Sequence, residues 1–260
     1  MILCLDAGNS CLKWGITDAS GWQARGQLVW AQLSSLRRAL ALWHPTRGYL
    51  ASVVGATREG ALTRMVGNIP LTRLTSGSAA LEVTNGYGEP ETLGIDRWCA
   101  LIGARHLEKR PCLVVMLGTA TTVDALDGEG NFLGGMILPG FAMMRDALAK
   151  GTANLPMVEA TQETLPDEMP RFPTDTESAI INGCLEAKAG VIERAFKRLP
   201  DAACCFVSGG SASHLVPRLT HLPVEAVPQL ALEGVRLLAL ADQAKQDAEP
   251  EPEPEPSDEP

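Results

Sequence analysis

The order of apolar segments predicts an α/β protein built of two similar ribonuclease-H-like halves with a nucleotide cleft between them. Three observations carry this reading. Residues 1–74 read as strand, strand, strand, helix, strand, helix, strand. A second apolar hairpin, opening at Cys112, repeats the first in outline. Both hairpins turn on a glycine followed by a small polar residue, Gly8-Asn9 and Gly118-Thr119. Such turns let backbone N–H groups approach an anion with no Cβ in the way. The expected halves are residues 1–110 and 111–247, followed by an acidic tail at 248–260.

In the first hairpin an apolar run from Ile2 to Leu5 ends at Asp6, and Gly8-Asn9-Ser10 turn the chain. Leu12, Trp14 and Ile16 then alternate as in a returning strand. Asp6 suits a magnesium ion held between protein and nucleotide. Asn9 and Ser10 offer short donors, and Lys13 is a point charge for a phosphoryl oxygen. The same residues also fit an Asx-type turn with a surface lysine, and no G-x-x-x-x-G-K-[ST] loop occurs in the chain. Gly21 marks a turn before a strand expected at 26–30. Leu33, Leu36, Leu40 and Trp43 recur at helical spacing until His44-Pro45 ends the helix. Strands at 49–54 and 71–74 flank a helix at 57–66.

In the second half, sliding the sequence by 110 residues sets Gly118 over Gly8, Thr119 over Asn9 and Met116 over Asp6. Coincidence between two ordinary hairpins is the alternative. Gly128 and Gly130 turn the chain into a strand at 132–138, which Pro139-Gly140 breaks. Helices are expected at 141–150, 176–199, 212–219 and 230–245, with strands at 204–207 and 224–227. From Ala248 the chain becomes Glu-Pro alternation. Proline at every second position forbids helix and sheet, so an extended solvated appendage is expected.

Between the halves lies Tyr87-Gly-Glu-Pro-Glu-Thr-Leu-Gly-Ile-Asp-Arg97, ahead of a helix at 98–107. Asp96 and Arg97 read either as a helix cap with a surface arginine or as a site. In the second reading Gly94 admits substrate, Arg97 grips a carboxylate and Asp96 accepts a proton. Gly134-Gly135 and Ser208-Gly209-Gly210 read as strand and helix boundaries, the latter able to present N–H groups to a nucleotide. The four histidines lack metal-ligand spacing.

Composition bounds the rest. Hydrophobic residues at 45% and charged residues at 20% fit a globular protein with an ample core. No apolar run reaches the ~18 residues of a membrane span, and the first strand begins without a basic leader, so no signal peptide is expected. Seven cysteines without framework spacing read as reduced thiols in a cytoplasmic protein. A net charge of −9 argues against nucleic acid as a partner.

Taken together, the motifs resemble the type III pantothenate kinases, also called the Bvg accessory factor family, of the actin/Hsp70/sugar-kinase superfamily. The resemblance covers residues 1–240. It rests on Asp6-x-Gly-Asn-Ser-x-x-Lys13, Tyr87, Leu93-Gly-x-Asp-Arg97, Gly118-Thr-Ala-Thr-Thr122, Gly134-Gly-x-Ile-x-Pro-Gly140, Thr176-x-x-Ala-Ile180 and Ser208-Gly-Gly210. It implies ATP-dependent phosphorylation of pantothenate to 4′-phosphopantothenate, the entry to coenzyme A synthesis, by a homodimer. It further implies that Asp6, Ala7, Gly8, Asn9, Ser10, Cys11, Leu12 and Lys13 bind the ATP phosphates, with Asp6 toward Mg2+, and that Thr119 contacts ATP. Gly94, Ile95, Asp96 and Arg97 would hold pantothenate, with Asp96 as general base and Arg97 near its carboxylate, while Tyr87 and Thr176 line the pocket.

Two departures from the family stand out. Ser10 replaces the usual threonine and keeps the hydroxyl. Met116 stands where many members place an aspartate that binds a monovalent cation. A thioether is a poor ligand for K+ or NH4+, so the resemblance does not carry that cation site over to this chain. Asp124, on the returning strand, is a candidate substitute. Two other functions fit the same fold, a non-catalytic regulatory protein and an actin- or Hsp70-like ATPase. The presence of Asp6, Lys13, Asp96 and Arg97 weighs against the first. The short chain without a peptide-binding domain weighs against the second.

Overall fold

The computed structural model describes residues 1–159 and 172–248. Strands β1 (Ile2–Ala7), β2 (Cys11–Asp18) and β3 (Gly21–Val29) form a meander. A 3-10 turn at Trp30–Ser35 leads into helix α1 (Leu36–Trp43), then β4 (Arg47–Ser52), α2 (Ala56–Val66) and β5 (Leu71–Arg73). A two-stranded ribbon, β6 (Ala79–Ala80) and β7 (Val83–Thr84), precedes α3 (Ile95–Leu107). The second meander is β8 (Cys112–Leu117), β9 (Ala120–Leu126) and β10 (Phe132–Pro139). Then come α4 (Phe141–Gly151), α5 (Thr176–Phe196), β11 (Cys204–Ser208), α6 (Ala212–Leu215), β12 (Val224–Ala226) and α7 (Leu230–Ala248).

The repeat seen in the sequence is a repeat of topology. One sheet has the order β3-β2-β1-β4-β5 and the other β10-β9-β8-β11-β12. In each, the second strand is antiparallel to the first and the fourth is parallel to it.

Alternating side chains along the central strands separate three cores. Leu3, Leu5 and Ala7 of β1 face α1 and α2, packing on Leu36, Leu62 and Val66. Ile2 and Cys4 face the other way, into a layer of α3 and α7 that also receives Cys112 and Val114 of β8. The outer face of the second sheet, including Leu113 and Val115, packs on α5 through Ile181, Leu185 and Ile192. The order is therefore helices, sheet, helices, sheet, helices, with α3 and α7 shared by both sheets. The two helices cross at glycine: a Cβ on Gly103 would lie 2.7 Å from the Leu230 carbonyl oxygen, and one on Gly234 would lie 1.8 Å from that of Cys99.

Several boundaries differ from expectation for local reasons. Strand β3 starts five residues early, because of its side chains only Leu28 is buried and no apolar alternation marks the start. Strand β4 ends at Ser52, before Val53 and Val54. Helix α3 starts at Ile95, which puts Asp96 and Arg97 in its first turn. Pro217 cuts α6 to one turn and leaves a 3-10 segment after it. Ala248 belongs to α7, so the expected tail loses its first residue to a helix, and residues 249–260 lie outside the described residues. No helix among the described residues is long and apolar enough to cross a membrane.

Candidate active site

The β1–β2 hairpin closes with the Gly8 N–H donating to the Cys11 carbonyl at 3.1 Å. Ala7 and Leu12 are buried in the core, so only their backbone faces the turn. Cys11 is half-buried, and Asn9 and Ser10 are exposed at the tip. Asp6 and Lys13 are cross-strand partners, with Lys13 Nζ 2.9 Å from Asp6 Oδ2. Burial alone would lower the Lys13 pKa, but the charge and hydrogen bond of Asp6, with the charge of Asp96, hold it raised.

Asp96 approaches from α3. Gly94 precedes this helix, and a Cβ there would come within 2.8 Å of Asp96 Oδ1. The Asp96 carboxylate accepts from the Arg97 N–H at 2.9 Å. Desolvation raises its pKa above the usual carboxylate range, and the nearby Asp6 charge adds to the rise. Asp6, Lys13 and Asp96 thus lie within Coulombic reach of one another, although α3 and the hairpin are far apart in sequence.

The second turn meets the first. Ser10 Oγ and Thr119 Oγ1 are 2.6 Å apart. Pro139-Gly140 packs beneath this second turn, the Gly140 N–H donating to the Thr119 carbonyl at 2.9 Å. A Cβ at residue 140 would sit 2.1 Å from that oxygen.

Arg97 is neither a surface residue nor open to solvent. It is 5% exposed and forks onto Asp124, its Nε 3.2 Å and 3.1 Å from the two carboxylate oxygens and its Nη2 bonded to Oδ1. Nη1 donates to the Tyr87 hydroxyl at 2.8 Å. Burial would lower the Arg97 pKa, but Asp124 and Tyr87 hold it raised, while burial pushes the Asp124 carboxyl up against the opposing pull of Arg97. Tyr87 stacks on Phe132 at 5.6 Å, and the guanidinium lies 5.7 Å from each ring centre. Gly135 makes the pair possible, since a Cβ there would lie 1.9 Å from Asp124 Oδ1. Asp124 is fully buried and committed to Arg97, which removes it as a substitute cation ligand.

Thr176 is not near Tyr87. It opens α5 and lines an apolar cavity of about 700 Å3 with Pro139, Met144, Leu148, Ile180 and Cys184. Tyr87 packs on the α3/α7 side of the second sheet, whereas Met144, Ile180 and Cys184 belong to the core on its other face.

Sequence reasoning missed Phe132 and Asn85. Asn85 holds the Tyr87 loop by donating to the carbonyls of Gly77 and Pro90 and accepting from the Tyr87 N–H. Neither residue carries a local signal. Asp124 did carry one, because an acid inside an apolar strand requires a buried partner.

Comparison with known proteins decides the family. The model of type III pantothenate kinases matches residues 2–198. A type III pantothenate kinase of Dechloromonas aromatica (strain RCB) is 43% identical over 246 residues, covering 92% of this chain and 99% of that one. The chain belongs to the type III pantothenate kinases. Members of the family phosphorylate pantothenate with ATP on the route to coenzyme A, which makes this chain a phosphotransferase. Solved structures agree on the fold. A protein described as a Baf-family transcriptional activator from Campylobacter jejuni superposes with a TM-score of 0.62 at 20% identity, covering 93% of this chain and 99% of that one. A protein described as a 2-dehydro-3-deoxygalactonokinase from Sinorhizobium meliloti gives 0.59 at 16% identity, covering 94% and 99%. The actin/Hsp70/sugar-kinase architecture expected from the sequence is the one observed.

Proposed function

We propose that ATP lies between halves 1–110 and 111–247 of this pantothenate kinase, its phosphates on residues 6–13 and Thr119. Asp96 takes the proton from the attacking hydroxyl of pantothenate. The observation that carries this is the convergence of Asp6, Lys13 and Asp96, with Asp96 held above its ordinary pKa. Phosphoryl transfer asks the protein mainly for positioning and charge neutralisation. Lys13 supplies positive charge at the phosphates. Asp96, its basicity raised by burial and by Asp6, is better matched to abstracting a hydroxyl proton than an ordinary surface aspartate.

Asp6 suits Mg2+. Its Oδ2 is held by Lys13, and Oδ1 has no hydrogen-bond partner among the described residues. Mg2+ commonly uses one or two carboxylates plus substrate phosphates and water. When bound, the ion would neutralise phosphate charge.

Arg97 supports the pantothenate pocket as a buried anchor that orients Tyr87, and its remaining N–H donors can serve a substrate carboxylate. Thr176 reaches such a pocket only from a second copy of the chain, which favours a homodimer. Leu133 and Ile137, 59% and 63% exposed on edge strand β10, give that dimer an apolar surface. The enzyme works in the cytoplasm, with no nucleic acid or membrane as partner.

The test is a coupled ADP-release assay with and without pantothenate. Pantothenate-dependent release is expected. Release independent of it would favour an ATPase, and none at all a regulatory protein. Asp96→Asn should keep the fold and lower kcat by ~10²–10⁴, which is ~3–5 kcal/mol of barrier. A mutant close to wild type would remove Asp96 from the mechanism.

A further inference from the structure

Two residues outside every motif described above hold the tip of the first hairpin from behind. Trp30 follows β3, and its Nε1 donates to the Gly8 carbonyl at 3.0 Å. Arg58, in the first turn of α2, donates from Nη1 to the Asn9 carbonyl at 2.5 Å. The two are stacked on each other, the guanidinium 5.4 Å from the Trp30 ring centre. This contact places both donors on one side of the turn.

A trans peptide sets its C=O and the following N–H in opposite directions, and none of the described peptide bonds is cis. Fixing the Gly8 carbonyl toward Trp30 therefore turns the Asn9 N–H away from it. Fixing the Asn9 carbonyl toward Arg58 does the same for the Ser10 N–H. Those two N–H groups have no acceptor among the described residues, whereas the Gly8 N–H is spent on Cys11. Successive N–H groups aimed to one side make an anion-binding concavity. Left alone, a turn with a glycine at its start would sample other peptide orientations.

We infer that Trp30 and Arg58 form a clamp that pre-orients the Asn9 and Ser10 amides toward the nucleotide phosphates. Both are positioning residues, acting through the backbone of the turn. This rests on reading the β1–β2 turn as the phosphate site, so the experiment includes Lys13→Met to test that reading separately.

Steady-state kinetics at saturating pantothenate should be compared for Arg58→Ala, Arg58→Lys, Trp30→Phe and Lys13→Met. ADP and adenosine serve as competitive inhibitors against ATP. Loss of one orienting hydrogen bond should raise KM for ATP about five- to tenfold in Arg58→Ala and in Trp30→Phe, with kcat little changed. ADP should weaken in parallel, while adenosine, which has no phosphate, should bind as in wild type. Arg58→Lys should recover most of the affinity, because an ammonium can still donate to the Asn9 carbonyl and sit over the indole. Arg58 is exposed and Trp30 lies at the edge of the core, so folded variants are expected, with thermal melts as the check.

If Lys13→Met weakens ATP but neither Arg58→Ala nor Trp30→Phe does, the clamp is wrong and the phosphate site stands. An Arg58→Ala defect that Lys does not repair, or that Trp30→Phe does not share, also overturns the clamp and makes Arg58 a direct phosphate ligand. Equal weakening of adenosine and ADP would show a general distortion of the cleft and sink the idea as well. If Lys13→Met itself leaves ATP untouched, the phosphate reading fails and the clamp fails with it.

Discussion

The two meanders of this kinase share strand order and turn position, yet only one carries charge at its mouth. In the first, the cross-strand pair behind the turn is Asp6 and Lys13. In the second, the pair in the same place is Met116 and Thr122. The second turn also closes one residue sooner, the Gly118 N–H reaching the Ala120 carbonyl at 3.0 Å where Gly8 reaches Cys11. The second meander places its charge deeper, as Asp124 beneath Arg97. The repeated topology brings the two turns together, and single side chains decide what each turn can do there. Under the proposed function the first half would handle phosphate charge, while the second offers a hydroxyl at Thr119 and a buried pair that holds Tyr87.

The largest expected effect separates the two ion pairs. Asp124→Ala leaves Arg97 buried without a counter-charge and should cost about 3–5 kcal/mol in urea denaturation. Asp6→Ala should cost far less, because the Lys13 side chain is already 18% exposed and can turn to water. A loss below about 1 kcal/mol for Asp124→Ala would mean that Arg97 finds another partner, and the contrast would collapse.

In catalysis the asymmetry should reverse. Lys13→Met is expected to lower kcat/KM for ATP by ~10²–10³, the scale of one lost charge-stabilising donor. Thr122→Val, its topological counterpart, should stay within about threefold of wild type, as a shape-conserving change away from reacting atoms. Equal losses would show that both meanders grip the phosphates.

A smaller effect appears in the pH profile. The base proposed at Asp96 must be ionised to act, so kcat/KM for pantothenate should fall as pH drops through its raised pKa. Asp6 contributes to that rise. Asp6→Asn removes the negative charge, lowers the Asp96 pKa and should move the acid limb to lower pH, whatever its effect on the plateau. An unmoved limb would assign the shift to desolvation alone.

The smallest effect concerns monovalent cations. With Met116 in the second meander and Asp124 committed to Arg97, added potassium or ammonium should activate less than about tenfold at constant ionic strength, since neither thioether nor paired carboxylate offers a hard oxygen ligand. Strong saturable activation in a titration of initial rate would mean that other oxygens rebuild the site.

Much of this was legible because strands and turns are local. The runs at Ile2 and Cys112, the glycine turns and the alternation of Leu12, Trp14 and Ile16 carry the fold in short windows. So does the reading of Asp6 and Lys13, which a hairpin of that length must place side by side. The rest depends on distant partners. Arg97 and Asp124 are 27 residues apart on different elements, and the space for their contact comes from Gly135, which reads in sequence as a strand boundary. Thr176 carries nothing local to say that it opens on the far face of the second sheet. The start of strand β3 hides because an edge strand with one buried side chain has no apolar period to read.

The shared helix layer has a consequence for synthesis. Strands β1 to β5 leave the ribosome early, but the helix that lies on the inner face of β1, β2 and β4 is α7, the last element described. About 150 residues separate β5 from α7, roughly 8–30 s of translation at ~5–20 residues per second. Through that interval Ile2, Cys4 and Ala51 lack the α7 side chains that cover them in the finished protein. A stalled nascent chain ending before Leu230 should therefore be cut by protease within its first half, and extension through Ala248 should protect it. Translation order and the order of closure run in opposite directions here: a late helix covers an early strand.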